Sequence, residues 1–366
     1  MRSTALADIL LPIGALLAAL LLFGVFVWFG GTDPVEVWVL LFKGAFGDWF
    51  SWQNTLQRAA PLMLTALCVA LPARAGLVII GGEGALVLGG LAAAALPYAV
   101  PLPGNVIGTA LVCAAGMAAG AAWIALAGAL RQYRGVNETI SSLLLAYIAI
   151  ALFKQIVEGP LRDPSTLNKP STRALEEGIR IGGMFGSDVH WGLVLGLLAC
   201  VALGLWLALT ARGFAVRVVG GNPRTAQLVG LPASGLILIA CAIGGACAGL
   251  AGAIEVAAVH TNANASIIAG YGYAGILVSF IARHNPIAVI PVAILFGGFG
   301  AAGSLLQRRL DLPDASVQVL QGIAFVLILA SEALRGIDWR AAAVKLRPPS
   351  GPVTPVQLKV EPKAAS

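Results

Sequence analysis

Apolar residues run through this chain in long unbroken stretches, at about 8–30, 54–72, 76–99, 105–130, 139–157, 191–210, 234–258, 270–283, 286–304 and 316–334. Most reach the ~20 residues that a helix needs to cross the hydrocarbon core of a bilayer. The alternating, ~10-residue segments of a membrane barrel are not visible. A chain in lipid must satisfy its backbone polar groups internally, which leaves helices. The pattern therefore predicts an all-α, polytopic helical membrane protein with about ten transmembrane helices. The join between 54–72 and 76–99, and the short pair 270–283 and 286–304, are where a re-entrant segment fits.

Composition strengthens this reading. The chain is 58% hydrophobic and 11% charged, with a mean hydropathy of +0.89, against ~25% charged residues in a soluble domain. Its net charge of +6 comes from Lys and Arg in the loops and C-terminal tail, not from a basic stripe interleaved with aromatics, so nucleic acid is not an expected partner. The N-terminal apolar run is too long for a signal-peptide core and reads as an uncleaved first span. An even number of spans puts both termini on one side. The positive-inside rule makes that side cytoplasmic, with Arg74, Arg131, Arg134, Arg212, Arg217, Arg224 and Arg283 there. The loop at 158–190, with Arg162, Lys169, Arg173 and Arg180, opposes the rule. Residues 1–334 form the transmembrane domain. Residues 335–366, rich in Pro, read as a disordered cytoplasmic tail.

Candidate chemistry is sparse. Cys68, Cys113, Cys200, Cys241 and Cys247 all fall in apolar stretches without a CxxC pair and read as small buried hydrophobes. His190, His260 and His284 are scattered and predict neither a metal site nor a triad. GYGYAG at 270–275 and GFGAAG at 298–303 match the letters of a dinucleotide fingerprint. They lack the following acid, because no Asp or Glu occurs between Glu255 and Asp311. They read as close packing or short non-helical joints. There is no GxxxxGK[ST], so ATP chemistry is not expected in this chain, and it is not expected to be an enzyme. Gly116 with Gly120, and Gly245 with Gly249, have the spacing that lets helices approach closely in lipid.

Two segments stand out. In GLVIIGGEGA (76–85), Glu83 is the only charge from Gly76 to Val100. An ionisable residue inside a span is costly and points to function. Gly81, Gly82 and Gly84 would break the helix there, and a half-helix starting near Gly82 would carry Glu83 in its first turn, where the dipole favours an anion. Glu83 is then either a cap and hydrogen-bond anchor or a ligand contact. Glu255 poses a milder version of this question, and Glu138 reads as a charge complementing a helix N-terminus. In NPRTAQLVG (222–230), Asn222 or Pro223 starts a short helix and Gly230 stops it. It is either a plain connector or a surface for a cytoplasmic partner.

At these residues the sequence resembles the permease subunits of simple-sugar and nucleoside ABC importers, a group that extends to branched-chain amino-acid and ribose permeases. TLQRAAPLMLTALCVALPARAGLVIIGGEG, VNETISSLLLAYIA, RVVGGNPRTAQLVGLP and GYGYAGILVSFIARHNPIAVIPVAILFGG resemble its hallmarks, in order, from about Asn54 to Leu334. Departures occur where the family pattern has Asn, Gln and Asn and this chain has Ile79, Ala85 and Ala146. The resemblance implies a substrate path for a nucleoside or simple sugar, involving Glu83, Gly81, Gly82, Gly84, Ile79 and Ala146. It implies a coupling segment at Gly220, Gly221, Asn222, Pro223, Ala226 and Gly230. It implies a cytoplasmic ABC ATPase that binds ATP and Mg, a second homologous permease in a heterodimer, and an extracytoplasmic solute-binding protein. The setting is the plasma membrane and its lipid. The rival readings are a branched-chain amino-acid permease and a secondary transporter that carries a proton on Glu83.

Overall fold

A computed structural model describes residues 2–166, 169–313 and 315–335. The tail prediction, from 336 onward, lies outside them. The helices are α1 (Arg2–Phe29), α2 (Pro34–Phe46), α3 (Trp49–Arg74), α4 (Gly82–Ala99), α5 (Val106–Arg134), α6 (Glu138–Glu158), α7 (Gly192–Leu209), α8 (Ala211–Gly221), α9 (Pro223–Leu228), α10 (Ala233–Ile254), α11 (Tyr271–Ile281), α12 (Pro286–Leu310) and α13 (Ala315–Arg335). A π-helical turn, Glu255–His260, prolongs α10. Two isolated bridges, Ser171 to Asn264 and Gly183 to His190, are the extended pairing among the described residues. The protein is an all-α, polytopic membrane protein. Among the described residues, seven helices, α3, α4, α5, α6, α7, α10 with its π turn, and α12, are long and apolar enough to cross a membrane. Ile13–Phe29, Ala265–Ile281 and Ala315–Ser331 are shorter apolar helical stretches.

Each predicted apolar stretch holds a helix, but two helices arise where none was expected. α2 has 13 residues, too short to register as a span. It starts because the Asp33 side chain accepts from the Val35 N–H and Pro34 occupies the first turn. α8 occupies the polar stretch that reads as connector, capped by the Thr210 hydroxyl on the Gly213 N–H. Asn and Asp mark several other starts. Asp48 caps α3, Asn105 caps α5, Asn137 caps α6 and Asn285 caps α12 ahead of Pro286. Glu138, in the first turn of α6, pairs with Arg131 at 3.3 Å.

Helix α3 is the hub, buried continuously from Ala59 to Pro72 and packed by α7, α10, α11 and α12. Beside it, α10 crosses α5 and α4 along a glycine seam. A Cβ on Gly120 would strike Gly245 and Gly249, and one on Gly252 would strike the Leu86 carbonyl. The two GxxxG pairs thus face one another, as small residues do where helices pack in lipid. At the end of the bundle opposite Arg74, residues 169–191 fold over the turn after α10. Thr172 exchanges hydrogen bonds with Ala263, and Leu175 N–H donates to the Thr261 carbonyl. Asp188 is held to α3 by Gln53 and Gln57. The five cysteines are free and sit in or against the packed interior.

Candidate functional site

The predicted break is present. Helix α3 ends at Arg74, and Leu77 to Ile80 run without helical structure before α4 starts at Gly82. Gly76 makes the turn at φ +86°, a left-handed conformation that suits glycine. Helix α6 supports the open segment. The Thr139 hydroxyl donates to the Val78 carbonyl at 3.0 Å, and the Ile80 N–H donates to Ser142 Oγ at 3.1 Å.

Glu83 lies in the first turn of α4 and is fully buried. Its partners are the amides of a second broken helix, far away in sequence. Gly270 N–H donates to Oε1 at 2.9 Å, and Gly272 N–H donates to Oε2 at 2.6 Å. Gly270 (φ +80°) is the N-cap of α11 and has no side chain to cap with. Glu83 supplies the missing acceptor from another element. It satisfies two of the free N–H groups at a helix start and places a carboxylate at the positive end of the helix dipole. The approach requires glycine at 272, since a Cβ there would strike the backbone of Gly82 and Glu83. Gly275 lies as tightly against Thr65, whose hydroxyl donates to the Tyr271 carbonyl at 3.0 Å. GYGYAG is therefore a helix start and a packing face, the close-packing alternative of its two readings and not a non-helical joint.

A cavity of about 560 Å³ opens at this junction, lined by Glu83, Tyr273, Gln318, Gln321 and Phe325, with Ile80, Leu143, Ile268 and Leu277 on its walls. A smaller one of about 190 Å³, bounded by Arg58, Tyr271 and Phe296, shares Gly270, Ala274, Gln318 and Gln321 with it. Together they form a mostly apolar hollow with a few convergent polar groups, the usual make-up of a small-molecule site. Behind it, Glu255 is buried in the π turn, 3.5 Å from His260 Nε2, and Arg58 lies within its Coulombic reach. The sequence reading missed Arg58, Gln318 and Gln321. The two glutamines, three residues apart in an apolar stretch, were the available signal.

The other expected site residues separate from the cavity. Ile79 and Ala146 are fully buried in protein. Gly84 packs against Ala146 and Ala149, Gly81 against Ser142, and Gly82 between Gly272 and Cys68. Ala85 is buried as well. Here an apolar residue fits because helices touch.

The 211–230 region forms a second candidate surface. Asn222 Oδ1 accepts from the Arg224 and Thr225 N–H groups, Pro223 follows it, and Gly230 ends the unit at φ +81°. Ala226 does not face outward. It is fully buried, while Leu228 is 87% exposed and Val229 67%. Gly221 meets open space, and Gly220 presses on the backbone of Arg74 and Ala75.

Comparison with known proteins places these features. The family described as "Branched-chain amino acid transport system / permease component" matches residues 51–329. The glucose ABC transporter permease protein TsgB13 of Haloferax volcanii is 31% identical, over 88% of this chain and 87% of its own. The guanosine ABC transporter permease protein NupP of Bacillus subtilis is 28% identical, over 90% of this chain and 95% of its own. A second guanosine ABC transporter permease protein of that bacterium, NupQ, is 27% identical, over 80% and 92%. The match covers both broken helices, the cavity and the α8–α9 surface, and this chain belongs to the branched-chain amino acid transport system permease component family of ABC-transporter permeases.

Proposed function

We propose that this chain forms half of the membrane path of an ABC importer for a nucleoside or simple sugar, and that the cavity at the α4–α11 junction is where substrate passes. The observation that carries this is the lining. Gln318 and Gln321 offer amide donors and acceptors suited to hydroxyls and base edges. Tyr273 and Phe325 offer flat faces for a ring. The names of TsgB13, NupP and NupQ support the same chemistry over a branched-chain amino acid. Both Glu83 oxygens are engaged by backbone amides, which supports an anchoring role over proton carriage.

In this reading about ten helices cross the plasma membrane, with α1, α11 and α13 added to the seven long ones. The termini and the α8–α9 surface face the cytoplasm, where a separate ABC ATPase binds ATP and Mg and docks on Leu228 and Val229. Gly220, Gly221, Asn222, Pro223 and Gly230 shape that surface, and Ala226 holds it from below. A second homologous permease completes the path. Two guanosine permeases in Bacillus subtilis, NupP and NupQ, support a heterodimer. A solute-binding protein delivers substrate to the opposite face.

Uptake of labelled guanosine, glucose and leucine by cells expressing the full system tests the substrate. Guanosine or glucose should enter saturably, and Gln318→Leu with Gln321→Leu should raise KM by about tenfold or more at unchanged membrane abundance, as when a site loses hydrogen bonds worth about 1.4 kcal/mol in sum. Saturable leucine uptake alone would sink the assignment. Leu228→Asp should weaken ATPase co-purification at unchanged thermal stability, because it places a charge at the centre of an apolar contact. Undiminished co-purification would move the docking surface elsewhere.

A further inference from the structure

The segment joining α3 to α4 holds the short helix α11 at both ends. At the start of α11, Glu83 accepts from the Gly270 and Gly272 amides. At its finish, Arg74 Nε donates to the His284 carbonyl at 2.8 Å, and Nη2 donates to the Arg283 carbonyl at 3.3 Å. Arg283 and His284 turn the chain in left-handed conformation, at φ +52° and +54°. Opposite charges thus sit at the two poles of one helix, each at the pole its dipole favours. The lengths agree. Eleven residues of helix rise about 16 Å, and the six residues from 76 to 81 can reach at most about 20 Å.

The Arg74 end of this clamp also touches α8. A Cβ on Gly220 would run into the Arg74 carbonyl oxygen and press on Ala75, and a Cβ on Gly76 would meet the Gly220 carbonyl at 3.3 Å. Backbone is packed on backbone there, with no flexible side chain to absorb a shift. Helix α8 is joined to α9 through Asn222 alone. A displacement of α8 toward α3 would press on the Arg74 backbone, whose side chain holds the finish of α11. The extended segment links Arg74 to Glu83 at the start of α11. Helix α11 carries Tyr271, Tyr273, Ala274 and Leu277 into the cavities.

We propose that Arg74 is the positioning residue that transmits motion of the α8–α9 surface to the substrate cavity, with α11 moving as one body between Arg74 and Glu83. This rests on the proposed roles of that surface and of the cavity. It adds the residue through which they communicate.

The test is backbone hydrogen exchange on the full chain in lipid nanodiscs, which needs neither substrate nor ATPase. Gly220→Ala is the decisive variant, because the atoms nearest a Cβ at Gly220 belong to Arg74 and Ala75. It should raise exchange along 270–281, including the Gly270 and Gly272 amides, by about threefold or more. Arg74→Gln should do the same, and Arg74→Lys, which keeps one charged donor, should recover most of the protection. Exchange that rises only within 73–77 and 217–222 for Gly220→Ala, or only at 282–285 for Arg74→Gln, overturns the proposal. If Arg74→Gln does not reach the membrane, Gly220→Ala decides alone, with wild-type exchange along 270–281 as the overturning result. Uptake in cells supplies the functional readout. Arg74→Gln should lower Vmax about threefold or more with KM within about twofold of wild type, and Arg74→Lys should restore most of that Vmax. A shift in KM alone overturns the relay. Absence of wild-type uptake for guanosine and glucose refutes the substrate reading and leaves the exchange result standing by itself.

Discussion

The α5–α10 seam and the α4–α11 junction are both built from glycine, yet they do opposite things. In the seam, Gly116, Gly120, Gly245 and Gly249 lie inside continuous helices and bring two backbones together. No charged residue occurs in 106–130 or 233–254. At the junction, Gly82 and Gly270 mark where helices begin, and the exposed amides of one helix meet an acid carried by the other. A seam gains from contact area and van der Waals packing and has one close-packed arrangement. A junction of helix ends gains from a few directed hydrogen bonds, which can be made or released. Glycine therefore marks close approach in both places, and the neighbouring acid distinguishes the part that can change.

Breaking the seam should have the largest effect. Gly249→Val would drive a branched side chain into the Gly116 carbonyl and against Gly120, both backbone. Neither can move without parting α5 from α10. The cost exceeds the ~1–3 kcal/mol of ordinary overpacking, so little folded protein should reach the membrane, as quantitative blotting would show. Normal abundance with normal uptake would mean that the seam is looser than its geometry.

Next is the junction itself. Glu83→Gln keeps the shape but has one acceptor oxygen for two amide donors, and its NH2 would oppose the second N–H. An unmet buried donor costs about 1–3 kcal/mol, a factor of roughly five to a hundred in the population of the closed junction. Uptake per folded molecule should fall within that range while abundance stays near wild type. Equal losses of abundance and uptake would make the junction another seam. Ser142→Ala removes the acceptor for the Ile80 N–H and should cost about 1 kcal/mol, since that group is only partly buried. A thermal-melt shift larger than that of Glu83→Gln would place the main support of the break in α6.

How far the sequence revealed these parts follows from the same physics. Helices were legible because apolar length has one meaning in lipid. The break at Glu83 and the unit from Asn222 to Gly230 were legible because Gly, Pro, Asn and an isolated acid have local structural consequences. The direction in which a side chain faces was not legible. In a soluble helix polarity separates inside from outside, but here lipid-facing and core-facing residues are both apolar. In α9, where Ala226 and Leu228 are both apolar, polarity gives as little guidance: Ala226 is buried and Leu228 exposed. The partners of Glu83 lie 187 and 189 residues along the chain, and no local pattern encodes a pairing at that distance. Arg74 was legible as a charge at a helix end but not as a clamp, because its acceptors are backbone carbonyls, which carry no sequence signature.

The smallest expected effect is also the most selective, because the junction region has a titratable group at its edge and the seam has no charged residue. His284 lies in the turn after α11, with Nδ1 2.9 Å from Ser279 Oγ. Burial, with the Arg74 guanidinium adding to it, holds this imidazole down at about 4, against about 6.5 for a free histidine. A histidine with a depressed folded value contributes stability that is complete above about pH 6.5. That stability is lost as the pH falls toward about 4, because the unfolded turn takes up a proton that the folded turn resists. The loss is at most about 1.4 kcal/mol per pH unit and less where water reaches the ring. Between pH 7 and pH 5, amides of 279–285 should lose protection relative to those of 116–124 once intrinsic exchange rates are divided out. His284→Gln should flatten that difference, since its amide keeps a polar partner for Ser279 and does not titrate in this range. A wild-type pH response in His284→Gln would remove His284 as the cause, and equal loss of protection in the two regions of the wild-type protein would leave the junction as insensitive to acid as the seam.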